Sequence, residues 1–294
     1  MDDPLRRSLL YVPASSEAML RKAGSRGADA VIVDLEDGVL PEAKDAARAR
    51  AERLWPELEF GGSEALLRVN APGTRWHEAD LEAAASIRPA GVVLPKCEDP
   101  AAVARIVARL HGIPLFLMVE TARGVLAAPE LARAPLAAAL LFGAADFRAS
   151  VRASRDPGEA ELALARGTLV LAARAAGIEA LDTPFFDYRD EAGLEASARR
   201  ARTLGFDGKT CIHPGQVAVV NRVFSPDEAE VARAHRVAAA LEEAAREGRG
   251  VATVDGEMVE PLHATEARRT LARARQAARL RSGSRAQSLF IGPG

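Results

Sequence analysis

Hydrophobic residues along this chain fall into short continuous runs separated by polar or amphipathic stretches. A continuous apolar run of such a length is typical of a parallel strand that is buried on both faces. Eight runs, each followed by a polar or glycine-containing turn, predict strands at residues 8–13, 30–34, 65–70, 91–96, 115–119, 138–143, 180–183 and 208–212.

Helix-like segments lie between most of these strands. Ser16 and Asp99 are helix-start signals, and Gly177 follows a long Ala- and Leu-rich segment as a helix-stop signal. Eight strand–helix units within about 220 residues predict a closed parallel (β/α)8 barrel, the TIM barrel. A doubly wound open sheet is the alternative, and it requires a switch point that divides the strands.

The pattern changes after the eighth unit. A further helix leads to a glycine-rich break at residues 248–250, an extended piece at 251–259 and a basic helix at 261–281. We therefore predict a barrel domain at residues 1–225 and a helical extension at residues 226–294, with a frayed end. The extension is expected to act as a lid or to pack on a neighbouring subunit.

Composition is that of an ordinary globular protein. The 294 residues are 48% hydrophobic and 27% charged, and 39 Lys and Arg against 41 Asp and Glu give a net charge of −2, which argues against a nucleic-acid partner. No apolar stretch reaches the roughly 18 residues of a membrane span. The acidic start is unlike a signal peptide, and Cys97 and Cys211 form no disulfide or zinc pattern. We expect a cytoplasmic protein with no membrane or nucleic-acid partner.

Two carboxylates follow the fifth and sixth predicted strands. Glu120 comes directly after the run 115–119, and Asp146 follows the run 138–143 after a short turn. Because the carboxyl ends of barrel strands meet at one face, both side chains are expected there. Hard divalent cations prefer oxygen ligands, so the pair predicts a Mg2+ site that Mn2+ could also occupy. Alternatively, the two acids cap the helices that follow them.

Other strand ends also carry charged residues. Arg68 and Asn70 lie at the end of the third predicted strand, and Arg68 is predicted to bind an anionic substrate, or else to pair with a barrel carboxylate. Asp34, Glu36 and Asp37 follow the second strand, and one or two of them are expected to face the site. We assign Asp37 to substrate binding.

Three more polar residues complete the ring of strand ends, namely Lys96, Asp182 and His213. Lys96 is either a Schiff-base nucleophile or, beside a metal, a charge-balancing cation, and we favour the second role. We interpret His213, which precedes a proline, as structural. The arginines of the basic C-terminal helix are interpreted as a solvated face, with contacts to cofactor phosphates as the alternative.

Common nucleotide and hydrolase motifs are missing from the sequence. There is no GxGxxG after the first strand, no Walker loop, no GxSxG elbow and no HExxH. These absences argue against nucleotide-driven, serine-hydrolase and zinc-protease chemistry.

Eight segments, taken together and in order, resemble the citrate lyase β-subunit family. That family includes malyl-CoA and citramalyl-CoA lyases and belongs to the HpcH/HpaI aldolase superfamily. The resemblance covers about residues 5–275, and the segments are RRSLLYVPASS, VIVDLEDGV, LLRVNAPG, VVLPKCED, MVETARGV, LFGAADF, GFDGKTCIHPGQV and VDGEMVEP.

The resemblance implies a barrel in which Glu120 and Asp146 hold Mg2+ and Arg68 binds the carboxylate of an α-keto acid. It also implies a homotrimer or hexamer in which the C-terminal segment reaches over a neighbour's barrel. In such lyases, an acidic residue at the end of a DGxMxD-like motif works in the neighbour's site. Here that residue is Glu260, where aspartate is usual, and Asp255 is the fallback.

The implied activity is that of a Mg2+-dependent carbon–carbon lyase. It would cleave a 3-hydroxy-carboxyacyl-CoA of the citryl-, malyl- or citramalyl-CoA type to acetyl-CoA and an α-keto acid. Arg68 and Glu260 would be catalytic, and Arg68, Asp37 and Glu120 would bind the substrate. The acid released and any following thioesterase step are left open by the sequence.

Three alternatives stay open beside this lyase. The first is the β subunit of a citrate lyase complex that acts on a citryl thioester held by an acyl carrier. The second is a metal-dependent aldolase for free hydroxy-keto acids, and the third is a barrel used only for binding. Ser15 and Ser16 stand where relatives often have arginine or asparagine, which weakens any inference about coenzyme A contacts there.

Overall fold

A closed barrel of eight parallel strands forms the larger part of the protein. The computed structural model describes residues 4–288, with side chains for residues 4–280. Each strand pairs with the next, and the eighth pairs with the first. The strands are β1 (Ser8–Pro13), β2 (Ala30–Asp34), β3 (Glu64–Arg68), β4 (Gly91–Leu94), β5 (Leu115–Val119), β6 (Ala137–Phe142), β7 (Glu179–Asp182) and β8 (Gly208–Cys211). The predicted TIM barrel is confirmed, and the open sheet is wrong.

Helices alternate with the strands and cover the outside of the barrel. They are α1 (Glu17–Leu20), α2 (Lys44–Leu54), α3 (His77–Ile87), α4 (Pro100–Val107), α5 (Ala122–Leu126), α6 (Ala128–Leu131), α7 (Ala144–Val151), α8 (Ala163–Ala176), α9 (Glu191–Leu204) and α10 (Pro214–Val223). Ser16 and Asp99 cap α1 and α4 as predicted, and Gly177 ends α8 in the left-handed conformation with φ 74°. The first helix is only one turn long, and a 3-10 turn at Ala23–Arg26 follows it.

Alternation along the strands separates two apolar layers. One side-chain set, which includes Ile32, Leu66 and Met118, fills the barrel interior. The intervening set, which includes Val33 and Leu67, packs against the helices. Strand residues of even and odd position therefore have different surroundings, and this parity decides which strand-end residues face the barrel mouth.

A second compact unit is formed, among the described residues, by 225–288 together with Pro4 and Leu5, whereas the barrel unit comprises Arg6–Phe224. Its elements are α11 (Glu228–Arg246), β9 (Ala252–Val254), β10 (Glu257–Val259) and α12 (Pro261–Ser288). It has its own small apolar core, to which α11 and both strands contribute. α12 extends to Ser288, beyond residue 281 where the basic helix was predicted to end, and the rest of the predicted frayed end lies outside the described residues.

The two strands of this unit form a tight hairpin. Its turn is Asp255-Gly256, and both residues have positive φ, 54° and 84°. Two consecutive positive φ values are what a two-residue hairpin turn requires, and Asp-Gly is well suited to them. Among the described residues, no helix has both the length and the apolar character needed to cross a bilayer.

Candidate active site

A cavity of about 300 Å³ lies at the C-terminal ends of the strands. Residues from seven of the eight strands or the turns that follow them line it, and four of these residues are acidic: Asp34, Asp37, Glu120 and Asp146. Arg68 also lines the cavity. The structure thus brings together Arg68, Asp37, Glu120 and Asp146, the barrel residues to which the sequence assigns substrate or metal binding.

Arg68 is held by Asp34 on the neighbouring strand. The two residues are register partners in the parallel pair β2–β3, and Arg68 Nε and Nη2 donate to the two carboxylate oxygens of Asp34, each over 2.7 Å. Although burial opposes the charge, the Asp34 carboxylate raises the pKa of Arg68 well above its ordinary value. The guanidinium is therefore a fixed cation. The alternative prediction for Arg68, an ion pair with a barrel carboxylate, is correct for its Nε and Nη2 atoms.

The remaining nitrogen of Arg68 faces two further acids. Nη1 lies 2.9 Å from Glu36 Oε2 and donates to Asp37 Oδ2 over 3.3 Å. Glu36 is buried, and burial raises its pKa to about 7 in spite of the nearby arginine. Asp37 is 61% exposed, so its contact with Arg68 is open to solvent.

The ring of Tyr11 packs against the guanidinium of Arg68. The sequence analysis did not identify Tyr11 as a site residue. The guanidinium carbon lies 4.7 Å from the centre of the Tyr11 ring, a cation–π distance. Burial raises the pKa of Tyr11 above its ordinary value, so its hydroxyl stays neutral. A tyrosine in the first strand could have been identified as a site residue only from its position on the inward-facing side.

Glu120 is buried, with 3% of its surface exposed, directly after β5. Its Oε1 accepts a hydrogen bond of 2.8 Å from the backbone N–H of Lys96, a residue in the left-handed conformation with φ 53°. Burial, and after it the charge of Glu36, raise the pKa of Glu120 to about 8. Within the described part of the chain, the charge of Arg68 does not offset this burial, so the carboxylate is stabilised by an added positive charge.

Glycine at position 143 makes room for this carboxylate. A Cβ atom there would lie 2.5 Å from Glu120 Cβ and 2.6 Å from Glu120 Oε2. The residue has φ −105°, which any amino acid adopts, so the requirement for glycine is purely steric. Sequence reasoning noted this glycine only as a turn.

Asp146 lies in the first turn of α7, half-buried, and its charge contributes to the raised pKa of Glu120. The helix-capping alternative fails for both acids. Thr121 caps α5 with its side chain, and the N-cap of α7 is Gly143. Glu120 and Asp146 are therefore available for another role.

The two carboxylates fit a hard divalent cation. No group of three or more His, Cys, Asp or Glu suited to a metal occurs in the described part of the chain, so the protein would supply two oxygen donors. Mg2+ commonly binds through one or two carboxylates and completes its coordination with substrate and water. The space that Gly143 leaves for the Glu120 carboxylate and the raised pKa of Glu120 both agree with a cation at this position.

A second layer of polar residues holds the loop that carries Glu36 and Asp37. The ammonium group of Lys44 donates to the carbonyls of Leu35 and Glu36, over 3.1 and 2.7 Å, and to Asn70 Oδ1 over 2.6 Å. Lys44 is buried, although the sequence gave no sign of a partner for it. Asn70, a predicted strand-end residue, thus supports the loop and does not line the cavity.

Three other residues of the predicted ring do not line the cavity. Asp182 is completely buried and accepts hydrogen bonds from Arg166 and Lys209, so it does not face the cavity. His213 caps α10, with Nδ1 accepting from the N–H of Gly215, in agreement with its structural interpretation. Lys96 is exposed and contributes its backbone N–H.

Glu260 belongs to the second unit, between β10 and α12, and is exposed. Asp255, its fallback, is held by arginines of the same unit, with Arg236 donating over 2.7 Å and Arg233 over 3.3 Å. The hydrogen bond from Arg236 lowers the pKa of Asp255 below its ordinary value. Asp255 is therefore a poor base, which leaves Glu260 as the better candidate.

Two protein-family models match this chain. A model of the family described as HpcH/HpaI aldolase/citrate lyase matches residues 7–214. A second model, described as C-C bond lyase of the TIM-barrel fold, matches residues 172–277.

The chain is similar over nearly its whole length to characterised relatives. It is 41% identical over 276 residues to a (3S)-malyl-CoA thioesterase of Cereibacter sphaeroides, a match that covers 94% of this chain and 97% of the relative. It is 35% identical over 271 residues to citrate lyase subunit beta of Leuconostoc mesenteroides subsp. cremoris, covering 88% and 90%.

A solved structure has the same fold. The protein CitE of Mycobacterium tuberculosis, in complex with magnesium, acetoacetate and coenzyme A, superposes with a TM-score of 0.79 at 37% identity. The match covers 91% of this chain and 97% of that protein.

Proposed function

The chain belongs to the HpcH/HpaI aldolase/citrate lyase family, and from this premise we propose that it is a Mg2+-dependent carbon–carbon lyase. Its substrate would be a 3-hydroxyacyl-CoA that bears a carboxylate, and its products acetyl-CoA and an α-keto acid. The observation that carries the proposal is the convergence of Glu120, Asp146 and Arg68 on one cavity.

Glu120 and Asp146 would hold the divalent ion, Mg2+ or, in its place, Mn2+. When bound, such an ion stabilises an alkoxide or enolate oxygen of a substrate that chelates it through hydroxyl and carboxylate groups. Lys96 fixes the orientation of Glu120 through its backbone N–H, and Gly143 leaves the space that the carboxylate needs.

Arg68 would bind the substrate carboxylate with Nη1, because Asp34 accepts hydrogen bonds from its other two nitrogens, Nε and Nη2. The exposed Asp37 would give up its 3.3 Å contact with that nitrogen when the substrate enters. Because Asp34 and Tyr11 keep the guanidinium in place, binding requires little rearrangement of the arginine.

Glu260 would serve as the acid that protonates the leaving carbon. As the carbinol carbon becomes the keto carbon, its hydroxyl loses a proton, and the bond to the α-carbon breaks with its electron pair left on the thioester enolate. One proton delivered to that carbon gives acetyl-CoA, so the reaction releases one proton and takes up one. We propose that this proton comes from Glu260 of an adjacent subunit in a homotrimer or hexamer. The exposed Met258 and Leu262, at 69% and 60%, flank Glu260 and agree with a surface that another subunit covers.

Thioester hydrolysis is the second candidate, because the relative at 41% identity is named a thioesterase. The two reactions differ in their products. A lyase releases an α-keto acid and no free thiol, whereas a hydrolase releases free coenzyme A and the intact hydroxy acid. Purified protein should therefore be given malyl-CoA and citramalyl-CoA with Mg2+, and the keto acid and the free thiol should be followed separately.

We expect the keto acid to appear and to require both metal ligands. Glu120→Ala and Asp146→Ala should each lose most of the Mg2+-dependent activity, while Glu130→Ala, an exposed glutamate of α6, should keep it. If free thiol is released without keto acid, the protein is a thioesterase and the lyase assignment is wrong. Mg2+-dependent cleavage that persists in both ligand variants would end the proposal.

A further inference from the structure

Glu260 lies at the junction between β10 and α12, and both of these elements are anchored in the core of the second unit. Val259, the last residue of β10, has 1% of its surface exposed, and Ala267 of α12 has 5%. Glu260 itself is exposed. The direction in which its side chain leaves the backbone therefore depends on how the chain turns from the strand into the helix.

Two hydrogen bonds between Glu260 and His263 close this junction. The backbone N–H of Glu260 donates to Nδ1 of His263 over 3.1 Å, and the N–H of His263 donates to the carbonyl of Glu260 over 2.9 Å. Pro261, the residue between them that follows Glu260, also disfavours a helical backbone conformation at Glu260. Both hydrogen bonds use the backbone of Glu260, so its carboxylate takes no part in them.

The preceding helix, α11, shows the complete form of such a cap. Its N-cap residue, Asp227, accepts the N–H of Glu230 with its side chain, and Glu230 accepts the N–H of Asp227 in return, each over 2.8 Å. In α12 the N–H of His263 goes to the carbonyl of Glu260 instead of to a side chain. Glutamate is also not among the residues favoured at an N-cap. The cap of α12 is therefore half of the usual capping box, and the missing half is the one that would engage the Glu260 carboxylate.

We propose that His263 is a positioning residue for the proton transfer assigned to Glu260. By accepting the N–H of Glu260, its ring fixes the backbone from which the carboxylate extends and leaves that carboxylate available for the reaction. A proton is transferred only within hydrogen-bond reach, so a displaced carboxylate transfers it more slowly. His263 acts only through Glu260 in this role. The inference rests on the proposed lyase function, because the position of Glu260 matters only if Glu260 is the acid.

Three variants distinguish this positioning from a general contribution to helix stability. His263→Ala removes the acceptor of the Glu260 N–H. His263→Gln supplies another acceptor, because Gln216 at the same place in the cap of α10 accepts the N–H of His213 over 3.2 Å. Thr265→Gly weakens the start of α12 at an exposed position and leaves both hydrogen bonds of Glu260 in place.

Each full-length variant is assayed with malyl-CoA and citramalyl-CoA at saturating Mg2+, and its kcat and KM are determined separately. We expect the kcat of His263→Ala to fall by at least about tenfold, because a displacement of about 1 Å can cost about a hundredfold in rate. Its KM and its affinity for Mg2+ should stay close to the wild-type values, since the lost contact serves only the transition state. His263→Gln and Thr265→Gly should keep most of the wild-type kcat. Light scattering should give the same assembly for all of these proteins.

Failure of this inference is distinguishable from failure of the proposed function. A wild-type kcat in His263→Ala overturns the inference and leaves the lyase proposal intact, and so does an equally large loss in His263→Gln or Thr265→Gly. A smaller assembly of His263→Ala assigns the residue to subunit association and overturns its positioning role. If Glu260→Ala keeps full activity, the acid assignment and the role of His263 both fail while the metal-dependent cleavage stands. If the wild-type protein cleaves neither thioester, the proposed function fails and the inference fails with it.

Discussion

The carboxylate of Glu120 reaches the barrel mouth only because residue 143 has no side chain. In Gly143→Ala, the new Cβ would meet Glu120 Cβ and Oε2 at 2.5 and 2.6 Å, so the carboxylate must move. We expect Mg2+ affinity to fall by at least about tenfold and the unfolding free energy to fall by about 1–3 kcal/mol, the usual effect of overpacking. Titration calorimetry with Mg2+ and urea unfolding measure the two quantities.

A matched control for this substitution lies in α8. A Cβ added at Gly167 meets nothing within 4 Å, and the residue is in the middle of a helix. Gly167→Ala should therefore keep Mg2+ affinity and gain up to about 1 kcal/mol of stability. Equal Mg2+ affinity in the two alanine variants would show that the position of Glu120 does not depend on Gly143.

The raised pKa of Glu120 predicts a pH-dependent affinity for the metal. Burial brings this pKa to about 8, so the carboxyl group is mostly protonated at pH 7 in the absence of a cation. A metal ligand must be deprotonated. As the pH rises towards 8, the affinity for Mg2+ should therefore increase by up to about tenfold per pH unit, and above pH 8 it should stay constant. Calorimetry in buffers of different ionisation heat should also detect proton release at pH 7, and a flat profile from pH 6 to 9 would contradict the assignment.

Residue roles were predictable from the sequence where the role depends on strand position. Glu120 and Arg68 end apolar runs, and this is enough to place them at the barrel mouth. The requirement at Gly143 was not predictable, since it arises from a side chain on a neighbouring strand that comes within contact distance only in the closed barrel. The same holds for Tyr11, which meets Arg68 across strands.

At the level of elements, strand parity explains which predicted tip residues reach the cavity. Ile32, Leu66 and Met118 point into the barrel, so residues two positions later, namely Asp34, Arg68 and Glu120, do as well. On β7 the inward residue is Leu181, which turns the next residue, Asp182, towards the helices. From the sequence, inward-facing and outward-facing residues could both be identified as strand ends. Which residues of each strand face inward became known only from the closed barrel.

The loop after β2 depends on a lysine that the sequence left without a role. Lys44 on α2 donates to two carbonyls of that loop and to Asn70. Lys44→Met keeps the length of the side chain but leaves these buried acceptors without a donor, so stability should fall by about 2–4 kcal/mol. Urea unfolding measures the loss, and the KM of the proposed lyase should rise, since the loop carries Glu36 and Asp37, which both contact the substrate-binding Arg68.

An exposed lysine gives the comparison for this substitution. Lys22 lies on the surface of the barrel unit, so Lys22→Met should change stability by no more than about 0.5 kcal/mol. If the two methionine variants unfold at the same urea concentration, the hydrogen bonds of Lys44 do not support the loop.

For the whole molecule, the barrel was predictable and the action of the second unit was not. Eight apolar runs with turns between them allow few other closed arrangements. The C-terminal unit has its own core, and its proposed role depends on an interface between subunits that neither the hydrophobic pattern nor a single chain specifies. Its proposed contribution, Glu260, therefore calls for a test on the assembled protein.

Mixed oligomers distinguish action within one subunit from action between subunits. Glu120→Gln removes a metal ligand, Glu260→Ala removes the proposed acid, and each variant alone should be nearly inactive. If Glu260 acts on a neighbour's barrel, co-expressed and doubly tagged mixtures should regain activity, because a Glu260→Ala barrel then receives an intact Glu260 from the adjacent Glu120→Gln chain. Random assembly in equal amounts places both intact groups together in about a quarter of the sites, which is the expected recovery relative to wild type. A mixture as inactive as its components would place Glu260 in the site of its own chain or outside catalysis altogether, and retained activity of Glu260→Ala by itself would decide for the latter.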